Sequence, residues 1–175
     1  MNADELKAAQ GPLKQLYRDE PARALLTLTA TGRVGVDGIT CDVDSHNGVV
    51  TAGLHPATGG DGAAACSGNM LLEALVACAG VTLKAVATAI GIELRSGTVS
   101  AEGDLDFRGT LGVSKEAPVG FSNIRLRFEL EAEASDEQVE SLVKLTERYC
   151  VIYQTLKNPP VLDFSITRAL PGLTN

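Results

Sequence analysis

The chain has no tryptophan, only three tyrosines and four phenylalanines, and two histidines among its 175 residues. So small an aromatic share offers no platform on which successive bases could stack. Basic residues are also the minority, 15 Lys+Arg against 22 Asp+Glu for a net charge of −7, so the electrostatic footprint of a phosphate-backbone binder is missing. Nucleic acid is therefore not an expected partner. Metal-ligand spacing is absent too. Cys41, His46, His55 and Cys66 can be gathered on paper, but no C-x-x-C or H-x-x-x-H pre-positions them, and no metal is expected. No Gly-x-Ser-x-Gly elbow supports serine hydrolase chemistry. The run from Gly60 to Ala65 fits G-x-G-x-x-A in form only, because no alternating βαβ units surround it, so neither a dinucleotide nor any other cofactor is expected.

The start, MNADELKAAQ, places two acids and a lysine within seven residues and has no apolar core. It does not read as a secretory signal, and a cytoplasmic location is expected. The longest apolar window, residues 71–92, is interrupted by Glu73 and Lys84 and thinned by small residues. It predicts a buried helix rather than a membrane span.

What the chain does contain is a core. Apolar residues make up 45% of it, enough for one domain that buries roughly 68–70% of its unfolded surface. A charged, helix-prone arm is expected over residues 1–22, with Leu6, Leu13, Leu16 and Tyr17 as a thin apolar edge, followed by a single domain over 23–175. Short β-branched runs, ALLTLTATG, GITCDV and GVVTAGL, are separated by Gly32, Asp37-Gly38 and Asn47-Gly48, which predicts an antiparallel meander with tight turns. HPATGGDGAAACSG, residues 55–68, predicts a loop that could wall a cavity. A helix follows from about Asn69 to Ile90, with Leu71, Leu75, Cys78 or Ala79, Thr82, Val86 and Ile90 on one side, Gly80 at a kink or close contact, and Gly91 as its stop. Strands are predicted in SGTVSAEGDLDFRG and FSNIRLRFELEAEA, the second alternating apolar with charged residues. Ser135 and Gln138 form a capping box that opens a helix running past Cys150 and Tyr153 to Asn158-Pro159-Pro160, and VLDFSITRAL predicts a last strand. The fold class is α+β.

Four cysteines stand at 41, 66, 78 and 150. Cys78 and Cys150 fall on apolar helix faces, where a thiol is most often an inert small hydrophobe, so position alone leaves them open between core filler and redox pair. Several segments then resemble the OsmC/Ohr family of small thiol-dependent peroxidases. LLEALVACAGVTLKAVA, residues 71–87, is similar to the family's central helix; VGFSNIRLRFELEAEASDEQVESLV, residues 119–143, to the following strand and helix entry; and LTERYCVIYQTL, residues 145–156, to the helix with the second cysteine. With TATGRVG around Arg33, the resemblance covers most of residues 25–168.

The resemblance implies an OsmC-like fold, with curved antiparallel sheets around long central helices in an intertwined homodimer. It further implies that Cys78 is the peroxidatic cysteine, Cys150 the resolving one, and Arg33 the residue that activates the thiol and orients the peroxide. The implied substrate is a hydroperoxide, organic ones preferred, in a pocket lined by side chains such as Leu71, Leu75 and Tyr153; the implied reductant is a small or protein-bound dithiol. One departure bears on this. Where strongly active relatives carry a glutamate that orients the arginine, about ten residues before the first cysteine, this chain has Gly68. Glu73 is no substitute, since five helical residues leave it about 140° around from Cys78, and Asp61 lies in the loop. A catalytically weak relative that binds an apolar molecule or senses oxidants is the alternative, and a structural dimer with core-filling cysteines a third reading. Without the resemblance, Arg33 reads as a hairpin arginine paired with Asp37.

Overall fold

The computed structural model describes residues 1–168. Helix α1, Ala3–Asp19, opens with a capping box in which Asn2 accepts from the Glu5 N–H and the Glu5 carboxylate accepts from the Asn2 N–H. It packs against α2. Strands β1, Gly32–Val34, β2, Thr40–Ser45, and β3, Gly48–Gly53, form a three-stranded antiparallel sheet. The turns sit where the Asp-Gly and Asn-Gly pairs predict them, and Gly48 takes a left-handed φ of 122° that a side chain would resist. The loop at 55–68 contains a short 3-10 turn, Pro56–Thr58, and a parallel bridge between Ala52 and Ala65.

Helix α2, Ser67–Ile90, follows and stops at Gly91, whose φ of 76° is the left-handed cap expected there. Its fully buried residues, Leu75, Ala79, Leu83 and Ala87, recur every fourth position and form one stripe. The helix is long and apolar enough to cross a bilayer by length and composition alone. In this fold its stripe faces β4, Leu94–Asp104, and the later helices instead. Gly80 produces no break. A Cβ there would meet Val99 on β4 at 3.7 Å, so the glycine marks the close contact between helix and ribbon.

After β4 the chain makes one turn of helix, α3, Phe107–Thr110, where the run ending in DFRG predicted more strand; Asp106 caps it by accepting from the Arg108 N–H. Strand β5, Asn123–Ala132, pairs with β4 over ten registered positions. Its alternation is realised: Ile124, Leu126, Phe128, Leu130 and Ala132 face the core, while Arg125, Arg127, Glu129 and Glu131 face water. On that outer face Arg125 reaches Glu102 at 3.2 Å and Asp104 at 2.8 Å, which pushes its guanidinium up and the Asp104 carboxyl down. Ser135 and Gln138 then form the predicted capping box of α4, Asp136–Tyr149.

Three expectations change. The helix begun at Ser135 does not run unbroken to Asn158. It breaks at Cys150, whose ψ of 109° is extended, and α5, Val151–Lys157, restarts from there. No glycine or proline announces the break, because apolar periodicity continues across it. The first and last predicted strands also differ. ALLTLTATG forms a ladder only from Gly32, and 161–168 form none, while Ala169 and Leu170 lie outside the described residues. Both segments have strand-like patterns, but a strand exists only where a neighbour accepts and donates its backbone bonds. No neighbouring strand of this chain flanks either one. Their apolar side chains stand in water, Leu28 at 91% and Phe164 at 98% exposure.

The core has two connected parts. Leu83, Ala87, Ile92 and Leu142 fill one, and Leu75, Ala79 and Cys150 the other. Truncating Leu142, which is completely buried, should destabilise the protein by about 2–5 kcal/mol in urea denaturation. Leu13→Ala on the outer part of α1 should change it by less than about 1 kcal/mol.

Candidate active site

Cys78 stands on α2 beside the buried stripe, one position before Ala79, and is half-buried. Cys150 sits at the break between α4 and α5 and is 1% exposed. The two thiols, 72 residues apart in the chain, are hydrogen-bond neighbours, and both are free. Packing brings them together: Leu75 and Ala79 of α2, Leu126 and Phe128 of β5, and Ile152 and Tyr153 of α5 enclose the pair.

Their acidities diverge. Burial pushes the Cys78 thiol up, but the N–H of Ile152, the Cys150 thiol, the N–H of Val151 and the Thr82 hydroxyl together outweigh it and hold Cys78 below the ordinary thiol range. The break at Cys150 makes this possible. A continuous helix would bond the N–H groups of residues 151 and 152 to carbonyls four residues back, whereas a restarted helix leaves its first N–H groups free to face a neighbouring sulfur. Burial likewise pushes Cys150 up, and the nearby N–H groups of Tyr153 and Ile152 fail to offset burial plus the adjacent Cys78. Deprotonation therefore falls to Cys78 first.

Arg33 lies elsewhere. It is on β1, and its guanidinium grips Asp44 of β2 with two bonds of 2.7 and 2.9 Å, an exposed bidentate pair that raises the arginine and lowers the carboxyl. The partner is Asp44 rather than the Asp37 read from the hairpin. Hairpin register was the signal that could have found it, since Arg33 sits opposite Asp42 and Asp44 is the diagonal neighbour on the same face. Within the chain nothing brings Arg33 onto Cys78, whose influences are all from α2 and the start of α5.

The remaining candidates are placed as follows. Gly68 is in the first turn of α2, and a Cβ there would make ordinary contacts of 3.5–3.7 Å with Phe121, Leu105 and Cys66. Glu73 is exposed on α2, and Asp61 accepts from the Ala63 N–H in the loop. Cys66 is the N-cap residue of α2, and Cys41 lies in β2 opposite Val34 and Ala52. His55 accepts the Ala57 N–H at Nδ1 and stacks on Phe107 with ring centres 5.0 Å apart. Among the described residues no three His, Cys, Asp or Glu side chains converge as a metal set.

Two cavities adjoin the thiols. One of about 160 Å3 lies against Cys150, between Phe128 and Val143, with Glu147 at its edge. The other, about 580 Å3, is walled by Leu71, Leu75, Phe121, Ile124 and Leu156, with Lys157 at its polar end. Tyr153 and Leu126 border both. Leu71, Leu75 and Tyr153, the side chains expected to line a pocket, thus share one wall. Lys157 bonds Glu147 at 2.6 Å and stands over the Tyr153 ring, so the tyrosine is held in place at the partition.

Alkylation by iodoacetamide, followed by peptide mapping across pH, should show Cys78 reacting at lower pH than Cys150. With its thiolate favoured in the folded state, Cys78 adds stability above the ordinary thiol range, lost as pH falls through its own titration. Cys150, held up, adds stability below that range, lost as pH rises through its titration.

Comparison with known proteins places this geometry. The family described as OsmC-like protein matches residues 59–165, more than half the chain and inclusive of both Cys78 and Cys150. Among solved structures, an OsmC-like protein from Mycoplasma pneumoniae superposes with a TM-score of 0.64 at 17% identity, covering 77% of this chain and 89% of its own. An organic hydroperoxide resistance protein OsmC from Legionella pneumophila gives 0.57 at 18% identity, covering 77% and 91%. The organic hydroperoxide resistance protein OhrB of Bacillus subtilis gives 0.52 at 18%, covering 77% and 93%. No curated protein sequence matches. At these identities the structures speak to the fold, the family match speaks to descent, and together they make this chain a member of the OsmC-like protein family with an α+β, OsmC-like fold.

Proposed function

We propose that this protein is a thiol-dependent hydroperoxide reductase that prefers organic hydroperoxides and serves in oxidative stress defence. The observation that carries the reading is the pairing of a lowered, half-buried Cys78 thiol with a raised, fully buried Cys150 thiol. Supporting it, two of the structural neighbours bear the name organic hydroperoxide resistance protein.

The cycle balances with these two residues and an external dithiol. The Cys78 thiolate attacks one peroxide oxygen, a sulfur–oxygen bond forms as the oxygen–oxygen bond breaks, and the departing alkoxide takes a proton to leave as an alcohol. Cys78 is now a sulfenic acid, oxidised by two electrons. Cys150 displaces its hydroxyl, which leaves as water with the Cys150 proton, and a Cys78–Cys150 disulfide forms. Two thiol–disulfide exchanges with a small or protein-bound dithiol restore both thiols and oxidise the dithiol. The 580 Å3 apolar cavity suits the carbon part of an organic hydroperoxide.

Arg33 is proposed to polarise the peroxide. Since its own-chain contact is Asp44, that role requires a second copy to carry the β1–β3 sheet over the Cys78 pocket. An intertwined homodimer is proposed for this reason and because the segments around Leu25–Leu28 and Val161–Ile166 leave apolar side chains uncovered at both ends of the chain. A reducing compartment such as the cytoplasm suits a cycle that begins from free thiols.

The rival reading, a catalytically weak relative that binds an apolar molecule or senses oxidants, is favoured by one observation. Gly68 supplies no carboxylate near the site, although the contacts around it leave room for a side chain.

One equivalent of an alkyl hydroperoxide should consume two thiols, mapped to Cys78 and Cys150, faster than hydrogen peroxide does. Cys78→Ser should abolish turnover, and Cys150→Ser should stop the cycle at a sulfenic acid that dimedone traps. A single oxidation without turnover would select the sensor, and no oxidation the binding protein. Light scattering on the eluted protein should give twice the 18.2 kDa chain mass; a monomer would leave Arg33 without a route to Cys78.

A further inference from the structure

Three helical threonines use their hydroxyls in the common way. Thr88, Thr146 and Thr155 each donate to the carbonyl oxygen four residues earlier, all at 2.8 Å. Thr82 stands in the same relation to Cys78, four residues on along α2, yet among the described residues it makes no such backbone bond. Residues four apart lie on one helix face, and helical side chains lean toward the N-terminus, so Thr82 leans back over Cys78. Its hydroxyl is turned to the Cys78 sulfur instead.

The other donors to that sulfur have a different origin. The N–H groups of Val151 and Ile152 and the Cys150 thiol all belong to the α4–α5 break. Cys150 must change partners when a disulfide forms, and the first turn of α5 is attached to it. Thr82 is carried by the same rigid helix as Cys78 and keeps its place whatever that break does. We propose that the Thr82 hydroxyl is a dedicated donor to the Cys78 thiolate, a positioning group built into the helix of the attacking cysteine and independent of α5. This rests on Cys78 being the attacking thiol, but its test does not require turnover.

The test uses the full-length reduced protein and the pH dependence of Cys78 alkylation by iodoacetamide, quantified on the Cys78 peptide. Thr82→Val keeps the shape and removes the hydroxyl; Thr82→Ser keeps the hydroxyl and loses a methyl. Thr82→Val should slow Cys78 alkylation near pH 7 by roughly three- to ten-fold and move the midpoint of its profile to higher pH, the size expected for one lost hydrogen bond to a charged acceptor. Thr82→Ser should stay within about two-fold of the parent, as a retained hydrogen bond requires. An unchanged profile in Thr82→Val would overturn the proposal, as would equal slowing in both variants, which would assign the effect to packing. Should Thr82→Val fail to fold, Thr82→Ala takes its place against the same serine control. If alkylation responds as expected while peroxide turnover is absent, the donor role stands and the peroxidase reading fails.

Discussion

The site depends on one packing arrangement, the fit of the α2 stripe beneath the β4–β5 ribbon and against α4 and α5. The stripe alternates large and small, Leu75, Ala79, Leu83 and Ala87, and all four are buried. The alanines admit close approach while the leucines fill the space between, so the ribbon and both later helices converge on one line of α2. Cys78 is next to that line and Cys150 is inside it. A thiol pair of this kind needs no binding loop to assemble it, because the core that stabilises the domain also sets the distance between the sulfurs.

The electrostatics of the pair follow from how the chain ends one helix and starts another. The protein is acidic overall, and no cation of this chain faces Cys78; the favourable influences on it are neutral donors, two backbone N–H groups, a thiol and a hydroxyl. Such donors are fixed by backbone and helix geometry and respond weakly to salt, unlike a surface arginine. The arginine that family resemblance singles out is engaged by Asp44 at the surface of the three-stranded sheet. Activation within one chain and orientation of a peroxide are thus separate tasks in this fold, the first served by α2 and α5 and the second by a residue on a different sheet.

The two sheets differ in how complete they are. β4 and β5 form a long ribbon with one face covered by helices and the other by cross-strand ion pairs such as Arg125 with Glu102 and Asp104. The β1–β3 sheet is short, and the extended segments before β1 and after α5 carry leucine, valine, isoleucine and phenylalanine side chains into solvent. Exposed apolar surface of that extent at a strand edge is the feature proteins ordinarily cover.

Local chemistry made much of this legible in the sequence. Asp37-Gly38 and Asn47-Gly48 specify hairpins, Gly91 stops α2, Ser135 with Gln138 starts α4, and the alternation from Ile124 to Leu130 declares a half-buried strand; each is decided by a few adjacent residues. The involvement of Cys78 and Cys150 was legible only through family resemblance, since spacing leaves a thiol on an apolar helix face undecided. Tertiary structure alone decided the rest. The break at Cys150 has no breaker residue, so packing rather than propensity ends α4 and frees the N–H groups of Val151 and Ile152. The segments at 25–31 and 161–168 have the pattern of strands but lack a neighbour, and pairing is a property of two segments that neither one encodes. Arg33 chose Asp44 over Asp37 because register, not sequence proximity, sets which charges meet. Periodicity, caps and turns are short-range and can be read from one stretch of chain; the meeting of two thiols 72 residues apart is long-range, and only the packed core decides it.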